Sequence, residues 1–226
     1  MNVLITGTSG MVGKAAMIEC LEDSRIDRVL IVNRTSIRWK HNKLKEIVLS
    51  DYRLLEEFKD EIKDIDSCLF CAGVSSAGLS ESDYSRLTYD LTIQFAETFL
   101  EANPGSQFVY VSGTGTDSTE KGRVMWARVK GKTENKLLDM NFSNAYMFRP
   151  GYIQPVKGVE TKTKLYKVFY LILKPLYPIF KHLSKSIIDS SMLGKAMICV
   201  LLSGNENSII EANQINDIYK KYEENK

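Results

Sequence analysis

The sequence predicts an α/β protein built on a doubly wound parallel sheet, and three observations predict it. Short β-branched runs recur at about 2–6, 28–32, 46–49, 67–72, 107–111 and 145–148. Most are apolar without interruption, as strands covered on both faces must be. Segments with helical spacing separate them, at about 11–23, 53–63, 81–102 and 123–140, and strand–helix alternation implies right-handed crossovers. Finally, the chain has 226 residues, 44% of them hydrophobic and 26% charged. That suits one large globular domain with a sizeable core and excludes disordered, collagenous and coiled-coil chains.

The first strand runs straight into Thr6-Gly-Thr-Ser-Gly-Met-Val-Gly13, a T-G-x-x-G-x-x-G pattern. A side chain at Gly7 or Gly10 would obstruct the turn and the close approach of a pyrophosphate. Gly13 lets the following helix pack on the strand. Ser9, Met11 and Val12 complete the loop's set of backbone N–H groups. A glycine pattern alone is weak; one that follows a strand and opens a helix inside a βαβ unit reads as a dinucleotide loop.

The second strand ends at Asn33, where an enzyme using NAD would carry a carboxylate for the ribose 2′-hydroxyl. Arg34 follows, a group suited to a 2′-phosphate. NADP is therefore the expected cofactor, with NAD as the alternative. Asp51, after the third strand, is a candidate acceptor for the adenine amino group. Ala72 and Gly73 end the fourth strand with small residues past which a cofactor can run.

The pattern changes after Arg149-Pro150-Gly151. Residues 1–151 are expected to form the dinucleotide-binding core and 152–226 a C-terminal lobe completing the same domain, its substrate-facing part at about 152–190. The apolar stretch 165–183 is interrupted by Lys167, Lys174 and Lys181 and broken by Pro175 and Pro178. It is expected to be a lid, a homo-oligomer surface or a peripheral membrane contact, not a transmembrane span. Residues 189–203 read as a helix, Ile209–Glu211 as a short strand, and Ile218–Lys226 as a charged, frayed tail.

Thirty basic residues against 28 acidic ones leave a net charge of +2, too balanced for nucleic-acid binding through a broad basic field. Cys68 and Cys71 form a C-x-x-C, but on a strand residues three apart face opposite ways, so no redox pair is expected. His41 and His182 lack ligand spacing, and no metal site is expected. The N-terminus lacks the pattern of a secretory leader, so a cytoplasmic protein is expected.

With the glycine loop, the strand Phe108-Val-Tyr-Val-Ser112 and Arg149-Pro-Gly151 in place, the sequence resembles the short-chain dehydrogenase/reductase superfamily. The likeness is to its atypical or extended branch of NAD-dependent epimerase/dehydratase-like proteins, and it covers residues 1–155 well and the remainder loosely. It implies an NAD(P)-binding Rossmann fold with Pro150 and Gly151 beside the cofactor. It also implies a catalytic serine, tyrosine and lysine. Ser112 matches the serine, and Lys130 matches the lysine, which would also hold the nicotinamide ribose.

Four residues before Lys130, however, stands Trp126, and no Tyr-x-x-x-Lys occurs between 113 and 145. An indole N–H donates a hydrogen bond but is no general acid. A proton would have to come from water, Thr114, Thr116, Tyr84 or Tyr152. The expected function is an NADP(H)-dependent oxidoreductase or epimerase/dehydratase-like enzyme on an unidentified small carbonyl or sugar-like substrate. The alternative is a catalytically silent NADP(H)-binding regulator that binds a partner through its C-terminal apolar surface.

Overall fold

Strand β1 (Asn2–Thr6) lies inside a seven-stranded sheet whose neighbours all run parallel to one another. The computed structural model describes residues 1–159 and 187–224. Helix α1 (Met11–Glu22) leads to β2 (Arg28–Asn33) and β3 (Leu44–Val48), then a 3-10 turn at Tyr52–Phe58. Next come β4 (Ser67–Phe70), α2 (Glu81–Ser85), a π turn at Arg86–Asp90, α3 (Leu91–Ala102), β5 (Gln107–Val111), α4 (Met125–Leu138) and β6 (Asn144–Arg149). The C-terminal part supplies β7 (Ile153–Gln154), β8 (Ile188–Asp189), α5 (Ser190–Ser203), β9 (Ile209–Glu211) and α6 (Ala212–Glu224).

The sheet order is β3-β2-β1-β4-β5-β6-β9. The chain winds outward from β1, then returns past it to β4, so the order reverses between β1 and β4. In such a sheet the crevice beyond the carboxyl ends of these strands is the natural ligand site. Strands β7 and β8 pair separately.

Alternation along the strands feeds two cores. Val3, Ile5, Ile31, Val109 and Phe148 face α1, α5 and α6, while Leu4, Leu30, Phe70, Phe108 and Met147 face α3 and the 3-10 turn. The second core is aromatic, with the Phe70 and Phe95 rings 5.2 Å apart edge to face. Cys68 packs into that core and Cys71 against the other one, on opposite faces of the sheet. Burial pushes the Cys68 thiol well above its ordinary range and the Cys71 thiol up to about 12, so neither is a thiolate at neutral pH.

Four expectations change. The helix expected at 53–63 is the shorter 3-10 turn, capped by Asp51. The run 81–102 is helical but carries the π turn in its middle. The fourth strand stops at Phe70, two residues early. The tail is not frayed up to Glu224: α6 buries Ile215, Ile218 and Tyr222, and the Tyr222 hydroxyl donates to Asp23 Oδ2 at 2.8 Å. Its apolar residues recur at helical spacing among the charges, which anchors one face. The stretch 165–183 and His182 lie outside the described residues. Among the described residues, no helix is long and apolar enough to cross a membrane.

Candidate functional site

A cleft of about 590 Å³ opens at the carboxyl ends of β1, β2 and β4. Gly7, Ser9, Gly10 and Met11 form one wall, Asn33, Arg34, Thr35 and Tyr52 a second, and Cys71, Ala72, Gly73 and Val74 a third, with Leu87 and Leu91 closing it. Gly7 has φ +70°, and a Cβ there would lie 2.7 Å from the backbone of Cys71 and Ala72. A Cβ on Gly13 would sit 2.5 Å from the Gly7 carbonyl oxygen, so Gly13 is what lets α1 close on β1.

Gly10 differs: its Cβ would meet only the Gly7 oxygen, at 3.3 Å. Apart from that one contact, the protein leaves the space in front of Gly10 open. Gly10 is also the N-cap of α1, with no side-chain cap. The first-turn N–H groups of Met11, Val12 and Gly13 therefore have no acceptor within the helix. Open space, unsatisfied donors and a helix N-terminus together fit a pyrophosphate.

The β1 and β4 ends are tied where the Ala72 N–H donates to Thr6 Oγ1 at 3.1 Å. Arg34 stands exposed at the rim. Asn33 is buried behind it and exchanges hydrogen bonds with Thr8 of the glycine loop. Asp51 lies outside the lining. Its carboxylate accepts from the Arg53 N–H at 3.0 Å and from Arg53 Nε at 2.8 Å, which hold its pKa below the ordinary value. Its neighbour Tyr52 reaches the cleft instead, with its hydroxyl 3.3 Å from the Val32 carbonyl oxygen and burial raising its pKa.

Ser112 follows β5, and α4 presents Trp126, Lys130 and Glu134 at four-residue spacing, on one face of the helix. Lys130 Nζ donates to the Ser112 carbonyl oxygen. Burial pushes the Lys130 ammonium pKa down to about 8, against an opposing pull from Glu134. The Ser112 hydroxyl donates to Glu134 Oε1 at 2.5 Å and lies 3.2 Å from the Phe148 carbonyl oxygen. Glu134 is fully buried and gripped by Arg149, whose Nε lies 3.1 Å from both carboxylate oxygens and whose Nη2 also donates to it. Arg149 further bonds Glu211 Oε1 at 2.9 Å and Ser118 Oγ at 2.5 Å.

Trp126 is half-buried against the loop after β5, where a Cβ on Gly115 would lie 3.7 Å from its ring. Pro150 supports that loop, its carbonyl accepting from the Thr114 N–H at 3.0 Å, and Gly151 follows half-buried. The structure thus joins Lys130 to Ser112 and sets Trp126 against the loop that follows Ser112, and none of the three lines the cleft.

The other proton sources are engaged. Thr114 Oγ1 donates to the Arg149 carbonyl at 3.2 Å, Thr116 Oγ1 to the Gly113 carbonyl at 2.7 Å, and Tyr152 to Gln154 Oε1 at 2.8 Å. Tyr84 is buried, with its phenol pKa raised by burial. Sequence reasoning missed Glu46, Tyr52 and Glu134. A signal for Glu134 was present in the i, i+4 spacing from Lys130; Glu46 stood out only as a charge in an apolar strand.

The NAD dependent epimerase/dehydratase family model matches residues 3–121. Leucinostatins biosynthesis cluster protein T of Purpureocillium lilacinum is 28% identical over 73% of this chain and 57% of its own length. Protein HTATIP2 of Rattus norvegicus is 24% identical over 67% of this chain and 62% of its own. The chain thus spans about 60% of the length of these two relatives. Protein FMP52, mitochondrial, of Meyerozyma guilliermondii matches 99% of this chain and 97% of its own length at 21% identity.

Among solved structures, a short chain dehydrogenases/reductase of Saccharomyces cerevisiae superposes with TM-score 0.65 at 16% identity, over 96% of this chain and 98% of that one. A UDP-glucose 4-epimerase of Thermotoga maritima gives 0.66 at 12% identity, over 98% of this chain and 82% of that one. These likenesses show the Rossmann-like fold. With its glycine loop, its sheet order and a family match over more than half its residues, the chain belongs to the NAD dependent epimerase/dehydratase family.

Proposed function

We propose that the cleft holds NADP(H) and that the chain is an oxidoreductase or epimerase/dehydratase-like enzyme for a small carbonyl or sugar-like substrate. The observation that carries this reading is the uncapped N-terminus of α1 behind an open Gly10, at the point where the strand order reverses. Arg34 makes no hydrogen bond or ion pair among the described residues and is free to meet a 2′-phosphate. Lys130, fixed on the Ser112 carbonyl, is the cation this reading assigns to the nicotinamide ribose. When bound, the nicotinamide supplies hydride chemistry; the chain's own residues bind and orient it.

A second reading, a catalytically silent NADP(H)-binding regulator, is favoured by one observation. The Ser112 proton goes to Glu134, and an indole stands where the family carries a phenol. Turnover of NADPH over a panel of small aldehydes, ketones and sugar nucleotides separates the two readings.

For the cofactor, the test is Arg34→Ala. Loss of a charged hydrogen-bonding partner should weaken NADP roughly 10- to 150-fold and leave NAD little changed. Equal weakening of both nucleotides would remove Arg34 from phosphate recognition.

A further inference from the structure

Glu46 is half-buried on β3, opposite Ile31 of β2, and its side chain is turned to the end of β2. Oε1 accepts from Asn33 Nδ2 at 3.1 Å and from the Ile37 N–H at 3.0 Å; Oε2 accepts from Ser36 Oγ at 2.6 Å. Asn33, only 1% exposed, also donates to Thr8 Oγ1 at 2.7 Å. A single carboxylate therefore links the glycine loop, the end of β2 and the segment that carries Arg34. Partial burial pushes the Glu46 carboxyl up, but the three donors outweigh it and its pKa lies below the ordinary value. It is an anion at neutral pH, bonded to Asn33, Ser36 and Ile37 on either side of Arg34 in the chain, and not ion-paired with Arg34 among the described residues.

The position that would carry an acid for a ribose 2′-hydroxyl holds the neutral Asn33, and Glu46 binds the amide of that same residue. We propose that Glu46 is a specificity-determining residue of the dinucleotide site. From the neighbouring strand it supplies the negative charge that Asn33 lacks, and it sets that charge against Arg34, so that the preference for a 2′-phosphate is held down and NAD is also accepted. This rests on the dinucleotide reading of the cleft.

The variant Glu46→Gln isolates the charge. Its amide oxygen keeps the Asn33 and Ile37 donors, and the Ser36 hydroxyl turns to accept. NADP and NAD are titrated calorimetrically against wild type, Glu46→Gln, Arg34→Ala and the double variant. At an intermediate dielectric, loss of one like charge near a phosphate strengthens binding roughly 3- to 10-fold. Glu46→Gln should therefore tighten NADP by that factor, leave NAD unchanged or weaker, and show less gain in 0.5 M salt. The gain should persist in the Arg34→Ala background.

An unchanged NADP-to-NAD ratio in Glu46→Gln, with both nucleotides still bound, overturns this proposal alone. So does a weakened NADP affinity at an unchanged melting temperature, which would make Glu46 only a loop anchor. Loss of the gain in the double variant overturns it as well. Binding of neither nucleotide by the wild type overturns both this proposal and the cleft reading beneath it.

Discussion

The Ser112 hydroxyl and the Glu134 carboxylate lie 2.5 Å apart in the interior, and Arg149 grips the carboxylate from β6. An ionised carboxylate only accepts hydrogen bonds, so the single Ser112 proton is committed to it. The Ser112 side chain is thus part of a buried charge network that also steadies the fold.

That network predicts a large stability loss on truncation. Glu134→Ala leaves the Arg149 guanidinium without its buried partner, and breaking such a pair typically costs about 3–5 kcal/mol. For a chain of this size the melting temperature should fall by roughly 6–20 °C. Thermal unfolding followed by circular dichroism checks this; a melting temperature within 2 °C of wild type would show that Glu134 carries no such load.

Lys130 predicts a pH dependence. Its folded pKa is lowered to about 8 from the ordinary 10.5 by burial. Between those values the unfolded chain holds the proton that the folded chain has released, so stability should rise with pH there. Below about pH 8 both states are protonated and this contribution is flat. In Lys130→Met, which removes the titrating group, urea unfolding between pH 8 and 10.5 should show a smaller rise than wild type. Parallel curves would mean that Lys130 titrates alike in both states.

Trp126 predicts a gain of function. Restoring a phenol with Trp126→Tyr, one helical turn from Lys130, should create or raise NADPH-dependent carbonyl reduction by roughly 10²–10⁴-fold, the usual worth of a general acid. Stopped-time assays over small aldehydes and ketones read this directly. No gain in a folded, cofactor-binding variant would show that the indole is not what withholds catalysis.

Local patterns in the sequence made the glycine loop and the alternation of strands and helices legible. Gly7, Gly10 and Gly13 announce themselves by spacing, and most of the parallel strands are apolar runs, β3 with Lys45 and Glu46 being the exception. Partnerships between distant elements were not legible. Asp51 caps the 3-10 turn and pairs with Arg53, which its place after the third strand does not announce. Glu46 and Asn33 lie 13 residues apart and meet only through the β2–β3 pairing. Glu134 and Arg149 meet only because α4 packs over β6, and the charged tail holds because Tyr222 reaches Asp23 across the fold.

The most direct test of the account is titration calorimetry of NADPH into wild type and Gly10→Val. The backbone around Gly10 offers a Cβ only one contact, so the variant should fold. Its methyl groups fill the space kept open for the pyrophosphate. The account predicts a saturable binding isotherm for wild type and none for the folded variant; undiminished NADPH binding to folded Gly10→Val would contradict it.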